Sequence, residues 1–303
     1  MIRPSSFGYN EDTSKDNFFQ SRVENMNNNE IKLVAIHEFE NMCSILRDNG
    51  INIIVCENDR SKNLSDDVFP NNWISFHNDK YVIHSMYAES RRKEKNKSFI
   101  DKLKNNGFNY TLLNDYTNYE EDNVFLEGTG SVVLDRTNKV AYCSISKRSD
   151  IGLFEKFCSD IGYSPITFTS HDSKGGIVYH TNVMMSIGDD FILVCLESIL
   201  DEDERKKVKE SIESTGRNII EIDLKQMESF AGNLLQLGEQ GNKVIVISQL
   251  AFSSLTTNQK QILSSESKIL NIPIPIIQKC GGGSVRCMIA ELIEKQFKQT
   301  HII

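Results

Sequence analysis

A chain of 303 residues, 39% of them hydrophobic, can bury a large core as one big domain or two small ones. Its net charge of -8, with no long basic run, gives no reason to expect a nucleic acid or an anionic membrane as partner. No apolar stretch has the length of a membrane span, and the opening MIRPSSFGYNEDTSKDNFFQ lacks a signal peptide's apolar core, so the expected location is cytoplasmic. Seven cysteines without a CxxC pair disfavour disulfides and a zinc ribbon. Cys158 and Cys195 read as small buried hydrophobes.

In chain order, MIRPSSFG suggests a strand, EIKLVAIHEFENMCSILRDNG a helix and INIIVCEN a strand. A rhythm follows. NNWISFHNDKYVIHSM (71–86) reads as strand, polar turn, strand, and so do GTGSVVLDRTNKVAYCSIS (128–146), HTNVMMSIGDDFILVCLES (180–198) and NLLQLGEQGNKVIVISQ (233–249). Each hairpin leads into a helical stretch, three of which end at or beside glycine, and then into one more short strand. Within the first of these stretches, SRRKEKNK (90–97) reads as the solvated face of a helix.

The repeating unit is ββαβ. Equivalent positions at Trp73, Gly130, Asn182 and Leu234 are 57, 52 and 52 residues apart, and another 53 reaches Cys287. Such a period predicts a radial array. GGGSVRCMIAELIEKQFKQ supplies at most one strand of a fifth unit, and the N-terminal elements can complete it. The expectation is an α/β fold: a single catalytic domain over 1–303, a closed five-bladed β/α-propeller whose two ends share one blade. The first strand of each hairpin would face the axis, placing Asn71, Asn72, Glu127, Asn182, Asn233 and Cys287 around one cavity.

Each polar residue here has an ordinary use. Glu127 could cap a turn, His180 could be a hydrogen-bonded core histidine, Asp66 and Asp67 could sit in turns, and Asn182 could satisfy a loop. A carboxylate, an imidazole and a thiol at equivalent points of three repeats weaken that view. A thiol becomes a nucleophile when its proton is removed, a histidine can move that proton, and a carboxylate can orient the histidine. Glycines before Cys287 leave backbone N–H groups open to an oxyanion. Glu127, His180 and Cys287 lack metal-ligand spacing, so no metal is expected.

FPNNW, EGTGS, HTN and GGGSVRCM, in this order on ββαβ units, resemble the guanidine-modifying superfamily of amidinotransferases and arginine deiminases, whose fold is the pentein propeller. The opening segment and VFPNNW are most similar to its citrulline-utilization hydrolase (citrulline ureidase) branch. The resemblance implies that Cys287 attacks a guanidine or ureido carbon, that His180 protonates the leaving amine and then activates water, and that Glu127 holds His180 and substrate. It implies that Asp66, or its neighbour Asp67, reaches the substrate's α-amine and that Arg148 grips the α-carboxylate. A second arginine of the dimethylarginine hydrolases is missing before SRRKE, where Ser85 sits nearest.

Related deiminases carry extra carboxylates where this chain has Asn72 and Asn182. A carboxylate only accepts hydrogen bonds and suits a cation, whereas an asparagine can also donate to a carbonyl oxygen. One of these asparagines could instead simply hold the loop shape. The expected function is a hydrolase cleaving the ureido C–N bonds of citrulline to ornithine, ammonia and CO2. The alternatives are an arginine deiminase or dimethylarginine hydrolase and, more remotely, a non-catalytic propeller scaffold. No cofactor is expected, and the partner is a small amino acid, with a homodimer among the forms the chain could take. Arg286 should point away from the site if the strand alternates, although its charge could still help keep the thiolate ionised.

Overall fold

The computed structural model describes residues 1–293 and 301–302, except residues 16, 59–61, 97, 239 and 240. The helix Asn28–Asp48 starts with a capping box, in which Asn27 accepts from Glu30 N–H and Glu30 reaches back to Asn27 N–H. Ile31, Ala35, Phe39, Met42 and Leu46 recur at helical spacing and form its buried face. The chain then enters β1 (Asn52–Ile53).

Four hairpin units follow. The first has β2 (Ile74–His77), β3 (Lys80–Ile83) and β4 (Thr111–Asp115). The second has β5 (Val132–Asp135), β6 (Val140–Ser144) and β7 (Ser164–Phe168). Next come β8 (Met185–Ile187), β9 (Phe191–Val194) and β10 (Asn218–Glu221), then β11 (Leu235–Leu237), β12 (Val244–Ser248) and β13 (Lys268–Ile272). In every unit the first two strands pair antiparallel and the third returns, after helical structure, to pair parallel with the second. The β2–β3 turn works because Asn78 accepts a φ of 56°, a conformation open to asparagine at low cost. β9 is buried at all four residues, as a strand covered on both faces should be.

A fifth three-stranded sheet joins β1 to β14 (Glu291–Leu292) and β15 (His301–Ile302), in the order β1-β15-β14. This corrects the expected use of MIRPSSFG as a strand. That segment makes only an isolated bridge from Ile2 to Cys56, and residues 301–302 supply the missing strand. β5 packs beside β8, β8 beside β11, and β14 beside β2, so at three junctions the first strands of successive units are neighbours. Fully buried Trp73, Phe76, Phe154, Phe157 and Phe168 fill the space behind the strands. Each such side chain contributes about 1.5–3 kcal/mol by leaving water.

A second correction concerns where the hairpins begin. GTGS is a single helical turn, Gly128–Ser131, and TNVM another, Thr181–Met184. Pro70–Asn72 is a short 3-10 turn. The polar residues therefore stand on turns just before the strands, not on the strands themselves. The third correction concerns SRRKEKNK. It does not form the face of one helix: a four-residue helix, Glu89–Arg92, stops short of Ser98–Asn105, and Arg91 and Glu94 are buried.

Candidate active site

Glu127 stands before the Gly128–Ser131 turn and is fully buried. Its N–H donates to the Ser131 hydroxyl and to the Arg148 carbonyl, which closes the turn. His180 stands before the next turn. The two turns are tied together by Thr181, whose hydroxyl donates to the Ser131 carbonyl at 2.5 Å and accepts from Ser144 N–H at 2.7 Å. The result brings Glu127 Oε2 to 2.7 Å from His180 Nε2 and 3.5 Å from Arg148 Nη1, while Tyr87 N–H donates to Oε1 at 3.0 Å.

Burial pushes the Glu127 carboxyl up, but the Arg148 charge, the His180 hydrogen bond and the Arg91 charge outweigh it and hold the group at about 2. Burial lowers the His180 imidazole below its ordinary value, with Glu127 pulling the other way. Arg148 is buried, with its guanidinium 4.3 Å from the Tyr179 ring centroid.

Gly130 sits between the next pair. A Cβ there would lie 2.3 Å from Asn72 Nδ2 and 2.9 Å from both Nδ1 and Cε1 of His180. The missing side chain is what lets the Asn72 amide and the His180 ring approach the same turn.

Cys287 reaches the site from the other end of the chain. Buried Glu38, on the helix Asn28–Asp48, accepts from the N–H groups of Ile276 and Ile277 at 2.9 Å each. This caps the helix Pro275–Gly281, which ends at Gly282 with φ 64°. The chain then turns through Ser284, whose carbonyl accepts from Cys287 N–H. Two amides face the sulfur: Asn233 Nδ2 at 3.4 Å and Asn182 Nδ2 at 3.7 Å. Asn233 Oδ1 also lies 3.7 Å from the sulfur, as an acceptor for the thiol proton, so the two amides can meet the sulfur with either donor or acceptor groups. The other six cysteines are also buried, and burial pushes Cys280 up to about 11 and Cys158 and Cys195 up to about 12. Cys158 and Cys195 are thus the inert core thiols that their apolar segments suggest.

One narrow pocket, about 20 Å³, joins Cys287, His180, Arg148, Asp66, Asn72 and Arg91. Asp66 enters it and Asp67 does not. Asp66 Oδ2 accepts from Asn10 Nδ2 at 2.8 Å and from the Thr13 hydroxyl at 3.1 Å, and its Oδ1 has no hydrogen-bond partner among the described residues. Burial raises its pKa, against the pull of Arg91, Asn10 and Thr13. Asn71 is fully buried and its amide lies outside this pocket, while its carbonyl faces Gly128 and Thr129.

Asn182 touches Cys287 but lines a second cavity, about 190 Å³, together with Thr129, Arg217 and Arg286. Its Nδ2 also donates to the Thr129 carbonyl at 3.1 Å. Arg286 turns away from the pocket, donating to the Ile289 carbonyl and to Glu291 at 3.0 Å each.

Arg91 and Glu94 were not expected here. Arg91 donates through Nε and Nη2 to Glu94 at 2.9 and 2.8 Å, and through Nη1 to Asn72 Oδ1 at 2.6 Å. Its Nη2 also meets the carbonyls of Asp66 and Phe69. Burial pushes Glu94 up to about 7, with Arg91 pulling it down. Thr13 and Asn17, from the N-terminal segment, also line the pocket. Nothing in their spacing pointed to the site. Ser85, nearest to the missing arginine, accepts from Leu126 N–H and so supports the segment entering Glu127.

The chain is similar in fold to an arginine dihydrolase, ArgZ, from the ornithine-ammonia cycle in cyanobacteria: TM-score 0.76 at 13% identity, covering 100% of this chain and 42% of that one. This chain therefore spans less than half the length of that relative. The N-terminal domain of ArgZ, in a cysteine-to-serine variant bound to substrate, matches with TM-score 0.72 at 14% identity, covering 95% of each chain. DDAH from Pseudomonas aeruginosa, a cysteine-to-serine variant complexed with citrulline, matches with TM-score 0.60 at 14% identity, covering 90% of this chain and 89% of that one. No curated protein matches by sequence. A family model does match, over residues 3–294, and by that match the chain belongs to the family of N,N dimethylarginine dimethylhydrolase, eukaryotic.

Proposed function

We propose that this chain is a covalent-cysteine hydrolase that cleaves the ureido C–N bonds of citrulline. The observation that carries this reading is the Asn72 amide. A guanidinium only donates, so Arg91 can face only the Oδ1 end of Asn72, at 2.6 Å. The Nδ2 end is buried and has no hydrogen-bond partner among the described residues, and Asn72 lines the pocket with His180 and Cys287. A donor at that point matches the carbonyl oxygen of a neutral ureido group and opposes a guanidinium N–H.

The Cys287 sulfur adds to the ureido carbon as its thiol proton passes to His180. One C–N bond breaks as the leaving amine takes a proton from His180, and a covalent thiocarbamate remains. His180 then deprotonates a water, which adds to the carbon and expels the sulfur. The carbamate so formed loses CO2, and the products are ornithine, ammonia and CO2. Glu127 keeps His180 oriented throughout. Asp66 offers the α-amine its Oδ1, which has no partner among the described residues, and Arg148 offers the α-carboxylate a guanidinium. Asn182, beside the sulfur, belongs to the reacting end of the substrate. The pocket is near the size of one water, so substrate entry requires its lining to move apart.

This reading includes a closed ring of five blades, one domain over 1–303, supported by the five equivalent sheets and by the packing of their first strands. A second reading, arginine or a methylated arginine as substrate, is favoured by the family match and by the arginine dihydrolase structures. Incubation with citrulline, arginine and methylarginines separates the two. Release of ornithine and ammonia from citrulline, abolished by Cys287→Ser, supports the first. Consumption of a guanidinium compound with citrulline untouched overturns it.

A further inference from the structure

The geometry points to Glu94 as a positioning residue that, through Arg91, holds the Asn72 amide with its NH2 end toward the reaction centre and so sets the preference for a neutral carbonyl head group over a cation. The inference rests on the functional reading above and extends it to a residue outside the pocket lining.

Asn72 alone cannot choose its orientation. The two ends of an amide have nearly the same shape, and only their partners tell them apart. Here the partner is Arg91, which offers donors only. A flip would set Asn72 NH2 against the Arg91 N–H groups and turn the carbonyl into the pocket. Arg91 in turn is held where it stands. Glu94 takes Nε and Nη2 in a two-pronged pair at 2.9 and 2.8 Å, with both side chains buried. The Asp66 and Phe69 carbonyls receive Nη2 as well, at 3.3 and 3.1 Å. Only the Nη1 edge is left for Asn72.

Other carboxylates compete for Arg91. Asp66 and Glu127 both act on it electrostatically, and both belong to the same buried site. Without the Glu94 carboxyl, which takes Nε and Nη2 together, the guanidinium is drawn toward them and leaves Oδ1. The Asn72 amide can then present its oxygen to the pocket, where it accepts from a guanidinium and repels a ureido carbonyl. Glu94 therefore affects discrimination without touching substrate.

The test measures KM and kcat for citrulline and the inhibition constant of arginine, in the wild type, Glu94→Gln and Glu94→Asp, with Arg91→Lys as a second way of loosening the clamp. The expected result is at least a tenfold fall in the ratio of arginine inhibition constant to citrulline KM in Glu94→Gln and Arg91→Lys, with partial recovery in Glu94→Asp, which keeps the two-oxygen carboxyl. A purely structural role lowers kcat or folded yield and leaves that ratio unchanged, and this outcome overturns the inference alone. A wild type that does not turn over citrulline overturns the functional reading itself, and is seen before any variant is made.

Discussion

Glu127 Oε2 and His180 Nε2 stand 2.7 Å apart, and both side chains are buried. Glu127 is held at about 2, so it is an ionised acceptor at neutral pH and Nε2 must carry the proton. Nδ1 then keeps the lone pair on the edge beside Gly130, where the proton work would be done.

Glu127→Gln removes this control of the tautomer, because a glutamine can donate to Nε2 and leave Nδ1 protonated. The variant should lose about 10²–10⁴-fold in kcat, the size of a general acid–base contribution. Steady-state kinetics on the preferred substrate check this, with a denaturation curve to show that the protein is folded. A loss below tenfold in folded protein removes His180 from the acid–base role.

Gly130→Ala adds a single methyl group at a point of close approach. It would press on Asn72 Nδ2 at 2.3 Å and on the His180 ring at 2.9 Å. Neither neighbour yields freely, since Arg91 holds the first and Glu127 the second. Overpacking of this kind costs about 1–3 kcal/mol of stability, and displacement of reacting groups by about 1 Å costs on the order of 10²-fold in rate. Parallel kinetics and urea titrations should show the rate falling well beyond what the stability change explains. Wild-type kcat/KM in this variant would show that the substrate does not depend on the placement of Asn72 and His180.

The sequence was informative where local pattern and global fold agree. Alternation on either side of Asn78 and of Asp189–Asp190 marked β2–β3 and β8–β9. Glu127, His180 and Cys287 stood out because three reactive groups recurred at one phase of the repeat. The turn GTGS looked like the start of a strand because glycine carries no periodicity; its helical form depends on Ser131 and Arg148 closing onto Glu127. Arg91 and Glu94 were hidden for a different reason. In a charge-rich stretch each charge is cheapest in water, and only long-range packing against Asp66, Phe69 and Asn72 makes burial tolerable. Asn233 was placed near the axis by its phase, but its contact with the sulfur depends on how the last turn folds.

The first hairpin holds a buried set of groups away from the site, and it predicts how stability varies with pH. Ser75 Oγ lies 2.8 Å from His77 Nε2 and 2.7 Å from His84 Nε2, and neither Nδ1 has a partner among the described residues. Both rings pack on Phe157 with centroids 5.4 Å away. Burial holds His77 well below its ordinary value and His84 down to about 3; Arg136 and Lys139 push His77 the same way and Lys95 pushes His84. The unfolded chain therefore takes up these protons first. Stability from His84 is fully present above about pH 6.5 and is lost as pH falls from there toward 3, by up to about 1.4 kcal/mol per pH unit, and His77 acts in the same direction. Urea titrations at about pH 7.5 and about pH 5 should show a smaller acid-induced loss in His84→Gln than in the wild type, by about 2 kcal/mol. His77→Asn serves as the second variant, and equal losses in all three proteins would mean that these histidines do not govern the acid limb.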